Sequence, residues 1–573
     1  MRIDRFRVKN FRNLAEVDLA LQAGTVIVGE NRAGKSNLVH ALRLVLDGSL
    51  SYADRQLARE DFWDGLSDGS DGWDPFVQGH VIEASIEIVE FEDDRKLAAA
   101  LANALVAEEP MRARLTYRFA PVDDGEEVQK SRYRGAVYGG TGDGRIISSE
   151  LRSYLHLVFL HALRDVEADI RNWRRSPLRA LLLAAASAAS EEDLGDVREA
   201  MQDANDKLNG LEVVKGLSES IGQRLVEMVG ANQAVSTELA AAPDDPMRLI
   251  RGMRLFVDGD AHRSLTSASL GTLNVLYLAL QELGLDARML EEADIAHVVM
   301  AIEEPEAHLH PHLQRLIFGR LLDSNRYANT VLVTTQSPHI ASVADPRSLV
   351  VLRTCENRTV AAAASDAELA RVEWDDIARY LDATRAELVF ARRVLLVEGF
   401  AEQVLLPKLA ESLEMNLDKL GISVCAIHGT HFGVYVHLCE ALRIPWAVLT
   451  DGDIDEDGVR QGDKRAVELL GGLGVSGQPV EHGIFVGSRT FEHDLLAASA
   501  QNLAAAFDSL KELCKAPSVA KIEGWSGRDP GYDEFMGMIN NAGGKGRYAQ
   551  RLALRRVAPP AYIADALRYL ESQ

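Results

Sequence analysis

The sequence lacks an apolar run long enough to cross a bilayer, and it has few cysteines for its length. Only four cysteines occur among 573 residues, and no two of them form a CxxC pair. A disulfide framework and a cysteine-ligated zinc site are therefore not expected. The N-terminal stretch "MRIDRFRVKNF" alternates charged and apolar residues, which is not the pattern of a signal peptide. These absences predict a cytoplasmic protein with no membrane association.

Positive charge is also in deficit. The formal net charge is -24, so the chain as a whole would repel a polyanion, and a nucleic-acid partner would have to meet a local basic patch. Two stretches could provide one, "RNWRRSPLR" (171–179) and "KGRYAQRLALRR" (545–556). A charged helix face exposed to water explains either stretch equally well.

The length of the chain and the order of its patterns predict two domains within an α/β fold. A chain of 573 residues is too long for one hydrophobic core. The N-terminus reads as strand, turn, strand and a glycine loop that opens a helix, and a new α/β pattern begins after residue 375. A helical pattern over about 153–245 predicts an insertion in the first domain. Its apolar stripe suits a core or a dimer seam and consists of Leu211, Val214, Leu217, Ile221, Leu225 and Met228.

The first chemical motif is "GENRAGKS", which begins at Gly29 and matches the pattern G-x-x-x-x-G-K-[ST] in full. Its glycines let backbone N–H groups surround the phosphates of a nucleotide. Lys35 reaches the outer phosphates, and the Ser36 hydroxyl is a magnesium ligand. The motif follows the apolar stretch "TVIV" and opens an amphipathic helix, as this chemistry requires. The sequence therefore predicts a nucleotide site with one magnesium ion.

A P-loop also needs a carboxylate at the end of a neighbouring strand, and "VVMAIEEPE" supplies two. Glu303 is assigned to the magnesium ion and Glu304 to polarising the attacking water. The alternative is a charged helix start, because Pro305 and Glu306 suit a first helical turn. The HxH pair in "EAHLHPHL" lacks the spacing of an HExxH helix and does not by itself indicate zinc.

The stretch "SASLGTLN" places a serine–glycine turn ahead of a helix, between the P-loop and "IEEPE". In this order of motifs the chain resembles the ABC-type ATPases of DNA repair and chromosome maintenance. The resemblance implies ATP and a head-to-tail homodimer in which this turn caps the ATP of the opposite subunit. At "TTQSPHI" the chain has Gln336 where the family has a switch histidine, so ATP turnover is expected to be slow unless His339 substitutes. The implied nucleotide-binding residues are Asn31, Gly34, Lys35, Ser36, Asn37, Ser269, Gly271, Glu303 and Gln336.

Acidic residues gather at the ends of predicted strands in the second half of the chain. Glu398 ends the apolar run of "VLLVEGFAEQ", and Glu402 lies one helical turn later. The stretches "AIHG" and "VLTDGD" end further strands at Gly429, Asp451 and Asp453. A parallel sheet would bring these strand ends to one edge. Four carboxylates left alone there would repel one another, so bound cations are the expected resolution.

Two other interpretations of "AVLTDGDIDEDG" stay open at this point. Asp453, Asp455, Asp457 and Gly458 fit the opening of an EF-hand calcium loop, but the twelfth position holds Lys464 instead of a bidentate Glu. A solvated acidic loop is the other alternative.

Glu-Gly-x-x-Glu, a later glycine and Asp-x-Asp together resemble the Toprim domain of topoisomerases, bacterial-type primases and certain nucleases. An ABC-type ATPase followed by a Toprim domain is similar to the OLD (overcoming lysogenization defect) family of ATP-dependent endonucleases, which includes the nuclease subunit of Gabija anti-phage systems. The resemblance covers nearly the whole chain, including "AIEEPEAHLHPHLQ" and "DIARYLDATRAELVFARRVLLVEG". It implies a further metal ligand at Glu492 in "RTFEHDL" and, at Lys545 in "GGKGRYAQRLA", a lysine beside the scissile phosphate.

The resemblance implies an N-terminal ABC-type P-loop ATPase domain (1–375) with a helical dimerisation insertion, followed by a C-terminal Toprim α/β domain (376–573) with a helical end. It implies ATP-gated cleavage of double-stranded DNA in anti-phage defence or DNA processing, with two Mg²⁺ or Mn²⁺ ions in the Toprim site. The assembly would be a homodimer or tetramer, and a helicase-like partner stays open. The implied catalytic residues are Glu398, Glu402, Asp451, Asp453, Glu492 and Lys545, with Glu304 for ATP; the implied metal ligands are those five carboxylates, Ser36 and Glu303.

Two other classes of function compete with a nuclease. A DNA-binding ATPase clamp or sensor would use the Toprim carboxylates only to hold a structural metal. A topoisomerase or a primase is the other class, and a Toprim domain alone excludes neither. A topoisomerase would need a nucleophilic tyrosine in a separate DNA-gate domain, and nothing after residue 500 is large enough to form one.

Overall fold

A computed structural model of the chain describes residues 1–70, 72–122, 133–141, 146–147, 154–161, 166–171, 176–229, 245–257, 263–291, 295–323, 330–381 and 383–573. The chain packs as two compact units. The first consists of Met1–Leu160, His297–Glu306 and Pro311–Gln573, and the second of His161–Ala296 and Ala307–His310. A search of the described helices finds none with the length and apolar character of a membrane span.

The N-terminal part of the first unit contains an antiparallel sheet. Alternate residues of Leu14–Ala20 are buried and exposed, as expected for a sheet that is covered on one face. In spatial order its strands are Leu14–Ala20, Arg2–Phe11, Ile82–Val89, Met111–Pro121 and Leu105–Glu108, and Tyr133–Gly139 also pairs with Met111–Pro121.

The P-loop follows the strand Gly24–Gly29 of a second sheet. In spatial order this sheet consists of Arg358–Ala363, Leu349–Cys355, Gly24–Gly29, Thr330–Thr335, His297–Glu303 and Leu155–Leu160. Only the first pair is antiparallel. The strand that ends at Glu303 is separated from the P-loop strand by one strand, and the carboxyl ends of all three lie at one edge, where doubly wound sheets bind ligands.

The C-terminal part of the first unit contains a parallel sheet of four strands. Helices such as Phe400–Ser412, Lys545–Leu552 and Ala561–Ser572 share a hydrophobic core with it. In spatial order the strands are Ile422–Ala426, Arg393–Val397, Trp446–Thr450 and Ile484–Val486. Because all four run in one direction, the residues after each strand meet at one edge of the sheet.

The other helices of the first unit connect or cover these three sheets. They are Lys35–Leu46, Arg95–Leu101, Pro311–Leu321, Pro338–Ala341, Arg371–Tyr380, Ala383–Ala386, Leu417–Leu420, Phe432–Ala441, Gln461–Leu473, Phe491–Ala497, Ala500–Leu513, Ala516–Gly524 and Tyr532–Asn541.

The second unit is mainly helical. Leu217 and Met228 of the predicted apolar stripe are 54% and 75% exposed, so these two side chains are not part of a core in the single chain. The use of the stripe as a dimer seam stays a prediction. The unit contains the helices Val166–Arg171, Leu178–Ala188, Glu191–Asn209, Glu212–Val229, Pro246–Gly252 and Leu270–Glu291, and the short strands Phe256–Val257 and Arg263–Ser264.

Two local predictions differ from the structure. Helical structure was expected from about Ser153, but Leu155–Leu160 is a strand that pairs with His297–Glu303, because a short apolar run such as "LHLVFL" does not distinguish strand from helix. The serine–glycine turn was expected ahead of its helix, but the helix begins at Leu270. The predicted boundary at residue 375 falls within the helix Arg371–Tyr380, and the residue bounds of the two domains stay a prediction.

Two glycines allow backbone segments to meet around the acidic loop after Trp446–Thr450. A Cβ atom on Gly462 would lie 2.2 Å from Asp451 O, and one on Gly452 would lie 2.5 Å from Ser488 O. Gly462 N also donates a hydrogen bond to Gly452 O at 2.9 Å. The position of Asp451 therefore depends on backbone contacts that only glycine permits.

Replacing Gly462 by alanine is expected to lower the free energy of unfolding by about 1–3 kcal/mol, because the added methyl group fits only if the backbone moves. Gly471 in the same helix is a matched control, since a Cβ atom there meets nothing within 4 Å. Gly471→Ala should be neutral or stabilising by up to about 1 kcal/mol. Urea denaturation compares the two variants, and equal midpoints would contradict this account of the loop.

Candidate functional site

In the P-loop, the Lys35 ammonium group lies folded against the loop backbone. Its Nζ donates to Gly29 O at 2.8 Å and to Glu30 O at 3.2 Å, and it lies 3.7 Å from Glu304 Oε1. Burial lowers the pKa of Lys35. A nucleotide phosphate would add negative charge to the single, longer contact that this buried ammonium group makes with Glu304.

The P-loop conformation depends on glycine and on residues outside the motif. Gly34 has a φ of 97°, and a Cβ atom there would lie 2.8 Å from Asn13 Nδ2. Asn37 Nδ2 donates to Asn13 Oδ1 at 2.8 Å, and Thr359 Oγ1 donates to Ala33 O at 2.9 Å. Asn13 and Thr359 were not identified from the sequence, because their roles depend on which strands lie beside the loop.

The carboxylates after His297–Glu303 are close to the P-loop. Burial raises the pKa of Glu303, although the Ser36 hydroxyl hydrogen-bonds to this carboxylate. Bound magnesium would stabilise its ionised form. Ser36 and Asn31 are exposed in the loop. The alternative interpretation of a charged helix start is wrong, because the next helix begins only at Pro311.

Gln336 lies at the expected switch position and contacts the proposed catalytic carboxylate. Its Nε2 donates to Glu304 Oε1 at 2.6 Å, and its backbone N–H donates to Glu306 Oε1 at 2.7 Å. His339 instead has its Nδ1 atom 3.1 Å from Arg315 Nη1. The structure therefore pairs Gln336, rather than His339, with Glu304.

Ser269 and Gly271 belong to the second unit. Thr272 N donates to Ser269 Oγ at 3.2 Å, so Ser269 caps the start of the helix. A Cβ atom on Gly271 would lie 2.5 Å from His308 O, so glycine lets these two backbone segments approach. Their predicted contact with the nucleotide of another subunit stays a prediction.

Predicted carboxylates lie together at the carboxyl edge of the four-stranded sheet. Glu402, Asp451 and Glu492 are at most 9% exposed. Burial raises the pKa of Asp451 to about 9 and that of Glu402 to about 7, and repulsion from neighbouring carboxylates contributes to both shifts. Asp451 Oδ1 accepts a hydrogen bond from Phe491 N at 2.8 Å, which joins the loop to the helix that carries Glu492.

Lys545 is the cation beside these three buried carboxylates. Its Nζ lies 3.0 Å from Glu492 Oε2, as an ion pair without the geometry of a directed hydrogen bond. Burial alone would lower the pKa of Lys545, but Glu492, Asp451 and Glu402 raise it. The predicted lysine is therefore charged and lies at the carboxylate cluster.

Arg465 is a second cation at this edge and was not identified from the sequence. Its Nη2 lies 3.3 Å from Glu398 Oε1, 3.0 Å from Asp453 Oδ2 and 2.6 Å from Asp451 O. Its Nε donates to Thr450 Oγ1 at 3.0 Å. Arg465 lies in the helix after the acidic loop, and no local sequence pattern indicated that its side chain points toward that loop.

The other predicted residues of this region have mainly backbone roles. Gly429 N donates to Glu398 O at 3.1 Å. Asp455 Oδ1 accepts hydrogen bonds from Val459 N at 2.8 Å and from Asp457 N at 3.1 Å. Asp455 thus closes its own loop, which disfavours the calcium interpretation.

The carboxylate cluster fits a divalent cation in its chemistry. Among the side chains that the structure describes, no three His, Cys, Asp or Glu residues converge closely enough to hold a metal ion; Lys545 and Arg465 lie against the carboxylates instead. Hard divalent cations prefer carboxylate oxygens, and Glu492 Oε2 is buried without a directed hydrogen bond. Burial and mutual repulsion raise the pKa values of Asp451 and Glu402, and a bound divalent cation would stabilise their ionised forms.

The two basic stretches differ in what can be described. Residues 172–175 of the first stretch lie outside the described residues. In the second, Arg551 and Arg555 pair with Glu512 at 3.2 and 2.6 Å, so part of its charge is neutralised within the protein.

Three protein-family models match the chain. Residues 389–453 match "Overcoming lysogenization defect protein-like, TOPRIM domain". Residues 146–342 match "AAA domain, putative AbiEii toxin, Type IV TA system", and residues 1–119 match "AAA ATPase domain". The chain therefore has an N-terminal ATPase domain followed by a C-terminal Toprim domain. Glu492 and Lys545 lie beyond the matched Toprim residues.

Several curated proteins with related sequences are named as nucleases. The chain is 26% identical over 472 residues to the OLD nuclease of Thermus scotoductus (79% of this chain and 82% of that protein). It is 23% identical over 497 residues to endonuclease GajA of Bacillus cereus (82% and 78%). The chain is also similar to the solved C-terminal region of the Burkholderia pseudomallei OLD protein, with 34% identity and a TM-score of 0.29. The match covers 32% of this chain and 98% of that structure.

The raised pKa of Asp451, about 9, predicts the pH dependence of stability without metal. Between about pH 4 and pH 9 the folded protein holds a proton that the unfolded chain releases, so stability falls as pH rises. Asp451→Asn removes this effect. Its unfolding free energy, relative to wild type, should increase by up to about 1.4 kcal/mol per pH unit across this window.

Urea denaturation in EDTA at several pH values measures this difference. Asp457→Asn is the control, because it removes a carboxylate that is exposed in the same loop instead of one that is buried in the cluster. A pH-independent difference for Asp451→Asn would contradict the assignment of a buried, repelled carboxylate.

Proposed function

We propose that this chain, which belongs to the OLD (overcoming lysogenization defect) family, is a metal-dependent DNA endonuclease whose cleavage is gated by ATP. The observation that carries the proposal is the group of buried carboxylates beside Lys545 at the carboxyl edge of the Toprim sheet. The nuclease names of the curated relatives and the pairing of an ATPase with a Toprim domain support it.

The residues of the cluster have separable proposed roles in phosphodiester hydrolysis. Glu398, Glu402, Asp451, Asp453 and Glu492 would hold Mg²⁺ or Mn²⁺, two ions in the reacting complex. Such ions supply an activated water and stabilise the departing oxygen. Lys545, half exposed and paired only with Glu492 among its described contacts, can turn to a phosphate oxygen and neutralise charge that develops on it.

The ATP site has its own proposed chemistry. Gly34 and the backbone N–H groups of the P-loop would surround the phosphates, and Lys35 would contact the outer ones. Ser36 and Glu303 would hold one magnesium ion. Glu304, hydrogen-bonded to Gln336, would orient the attacking water, and the neutral amide of Gln336 would make turnover slow.

A direct contact inside the first unit offers a route for gating. Arg392 Nη2 lies 2.9 Å from Glu30 Oε2 in the P-loop, and Arg392 Nε contacts Glu30 Oε1. Arg353 Nη1 donates to Arg392 O at 2.9 Å. Arg392 directly precedes the strand Arg393–Val397, which leads to Glu398. A change in the P-loop on binding ATP would therefore reach the strand that carries a Toprim carboxylate.

The assembly and biological role are proposed on the same basis. A complete ABC-type site needs Ser269 and Gly271 from a second subunit, so we propose a homodimer, with a tetramer as the next higher state. Double-stranded DNA is the proposed substrate, and anti-phage defence or DNA processing in the cytoplasm the proposed setting. A helicase-like partner is the remaining candidate component.

The nuclease proposal predicts metal-dependent cleavage that Asp451→Ala abolishes while the fold remains intact. Purified protein would be incubated with plasmid and linear DNA in Mg²⁺ or Mn²⁺, with and without ATP. Lys35→Ala should keep the Toprim site but lose the response to ATP, because it removes a phosphate contact. Cleavage by Asp451→Ala would contradict the proposal. DNA and ATP binding without cleavage by wild type would favour a clamp or sensor.

Gating through the P-loop contact predicts that Arg392→Gln uncouples the two sites. ATP affinity and cleavage without ATP should stay within about threefold of wild type, because an exposed ion pair contributes about 1 kcal/mol or less. The effect of ATP on the cleavage rate should decrease by up to about fivefold, the factor that corresponds to this energy. Arg379→Gln is the control, because Arg379 is exposed and its ion pair among the described residues is a local one, with Asp376. An unchanged ATP effect in Arg392→Gln would exclude this route.

A further inference from the structure

The five carboxylates of the Toprim cluster fall into two groups that differ in their counter-charge. Glu398 and Asp453 both contact the Arg465 guanidinium group. Glu402, Asp451 and Glu492 are the most buried of the five, and their nearby cation is Lys545. The two cations are held very differently, and this difference decides which carboxylates are available to a metal ion.

Arg465 is fixed in place. Its side chain is 17% exposed, and it donates to Thr450 Oγ1 and Asp451 O in addition to its two carboxylate contacts. Glu398 Oε1 also accepts hydrogen bonds from Thr450 Oγ1 and from Asp451 N. A divalent ion that displaced Arg465 would leave a partly buried guanidinium group without these partners, which is costly.

Lys545 is held by less. Its side chain is 47% exposed, and its described ion pair is the contact with Glu492 at 3.0 Å. A lysine side chain is flexible and its ammonium group is readily hydrated. Moving Lys545 away from Glu492 therefore costs far less than moving Arg465 away from Glu398 and Asp453.

We propose that Arg465 is a built-in cation of the Toprim site. It holds Glu398 and Asp453 in position, so the protein without DNA or nucleotide binds a single divalent ion, on Glu402, Asp451 and Glu492. The inference rests on the proposed function only in taking the cluster as a metal site. Arg465 is a positioning residue, because it acts through Glu398 and Asp453, and a second ion enters only with DNA.

Metal stoichiometry tests this directly. Full-length protein free of nucleotide and DNA would be titrated with Mn²⁺, and free Mn²⁺ would be measured by electron paramagnetic resonance. Salt at about 0.1 M screens weak binding to the acidic surface. Wild type should bind one tight ion per chain, which Asp451→Asn removes. Arg465→Gln should bind two, because Glu398 and Asp453 lose their counter-charge.

Three variants separate this role from a general effect of charge or structure. Arg465→Lys keeps the charge and should bind one ion. Arg465→Gln combined with Glu398→Gln should return from two ions to one. Lys464→Gln removes one positive charge from an exposed neighbour in the same helix and should bind one ion.

The outcomes distinguish this inference from the proposed function. Two tight ions on wild type, or one on Arg465→Gln, would overturn the role of Arg465 and leave the nuclease proposal intact. No tight ion on wild type would overturn this inference, while the cleavage assay decides the nuclease proposal separately. If Arg465→Gln does not fold, the wild-type count and the Arg465→Lys count still decide, since two ions on either would contradict the proposal.

Discussion

Mutual repulsion among buried carboxylates is the constraint on which the C-terminal half of this protein depends. Parallel strands bring Glu398 and Asp451 to one edge, and the surrounding helices add Glu402 and Glu492. Burial strengthens the repulsion, because little water is present to screen it. Lys545 and Arg465 lie against the carboxylates and reduce this repulsion, and the close backbone approaches at Gly452 and Gly462 fix the acidic loop. A site that crowds so many carboxylates together suits divalent cations, which would stabilise the ionised carboxylates, and the phosphodiester that accompanies those cations.

In the nucleotide site the buried charged group is a cation instead of a carboxylate. Lys35 is a buried ammonium group with a lowered pKa, and in the proposed function nucleotide phosphates would complete its environment as metal ions would complete that of the Toprim carboxylates. Arg392 contacts Glu30 in the P-loop and lies at the start of the strand that leads to Glu398. The nucleotide site and the Toprim site are thus connected by the Arg392–Glu30 ion pair and by the strand that follows Arg392. In such an arrangement, a ligand at one site can change the free energy of ligand binding at the other.

Local motifs were predictable from the sequence, and contacts between distant segments were not. Lys35, Glu303, Asp451 and Glu402 were located because their chemistry fixes a short spacing after a strand. Arg465 and Asn13 were missed because their roles depend on which elements pack together. Leu155–Leu160 was expected to be helical but is a strand. So short an apolar run suits either state, and its pairing with His297–Glu303 decides between them. Glu492 and Lys545 came from family resemblance alone, and the fold brings them together although 53 residues separate them in the sequence.

The central claim is that the Toprim carboxylates bind the divalent ion that cleavage requires. Anomalous X-ray scattering from crystals grown with Mn²⁺ locates that ion most directly. The account predicts an anomalous peak bounded by the carboxylates of Glu402, Asp451 and Glu492, with Lys545 turned away from Glu492. A peak only at the exposed acidic loop around Asp457, or no peak in the first unit, would contradict it.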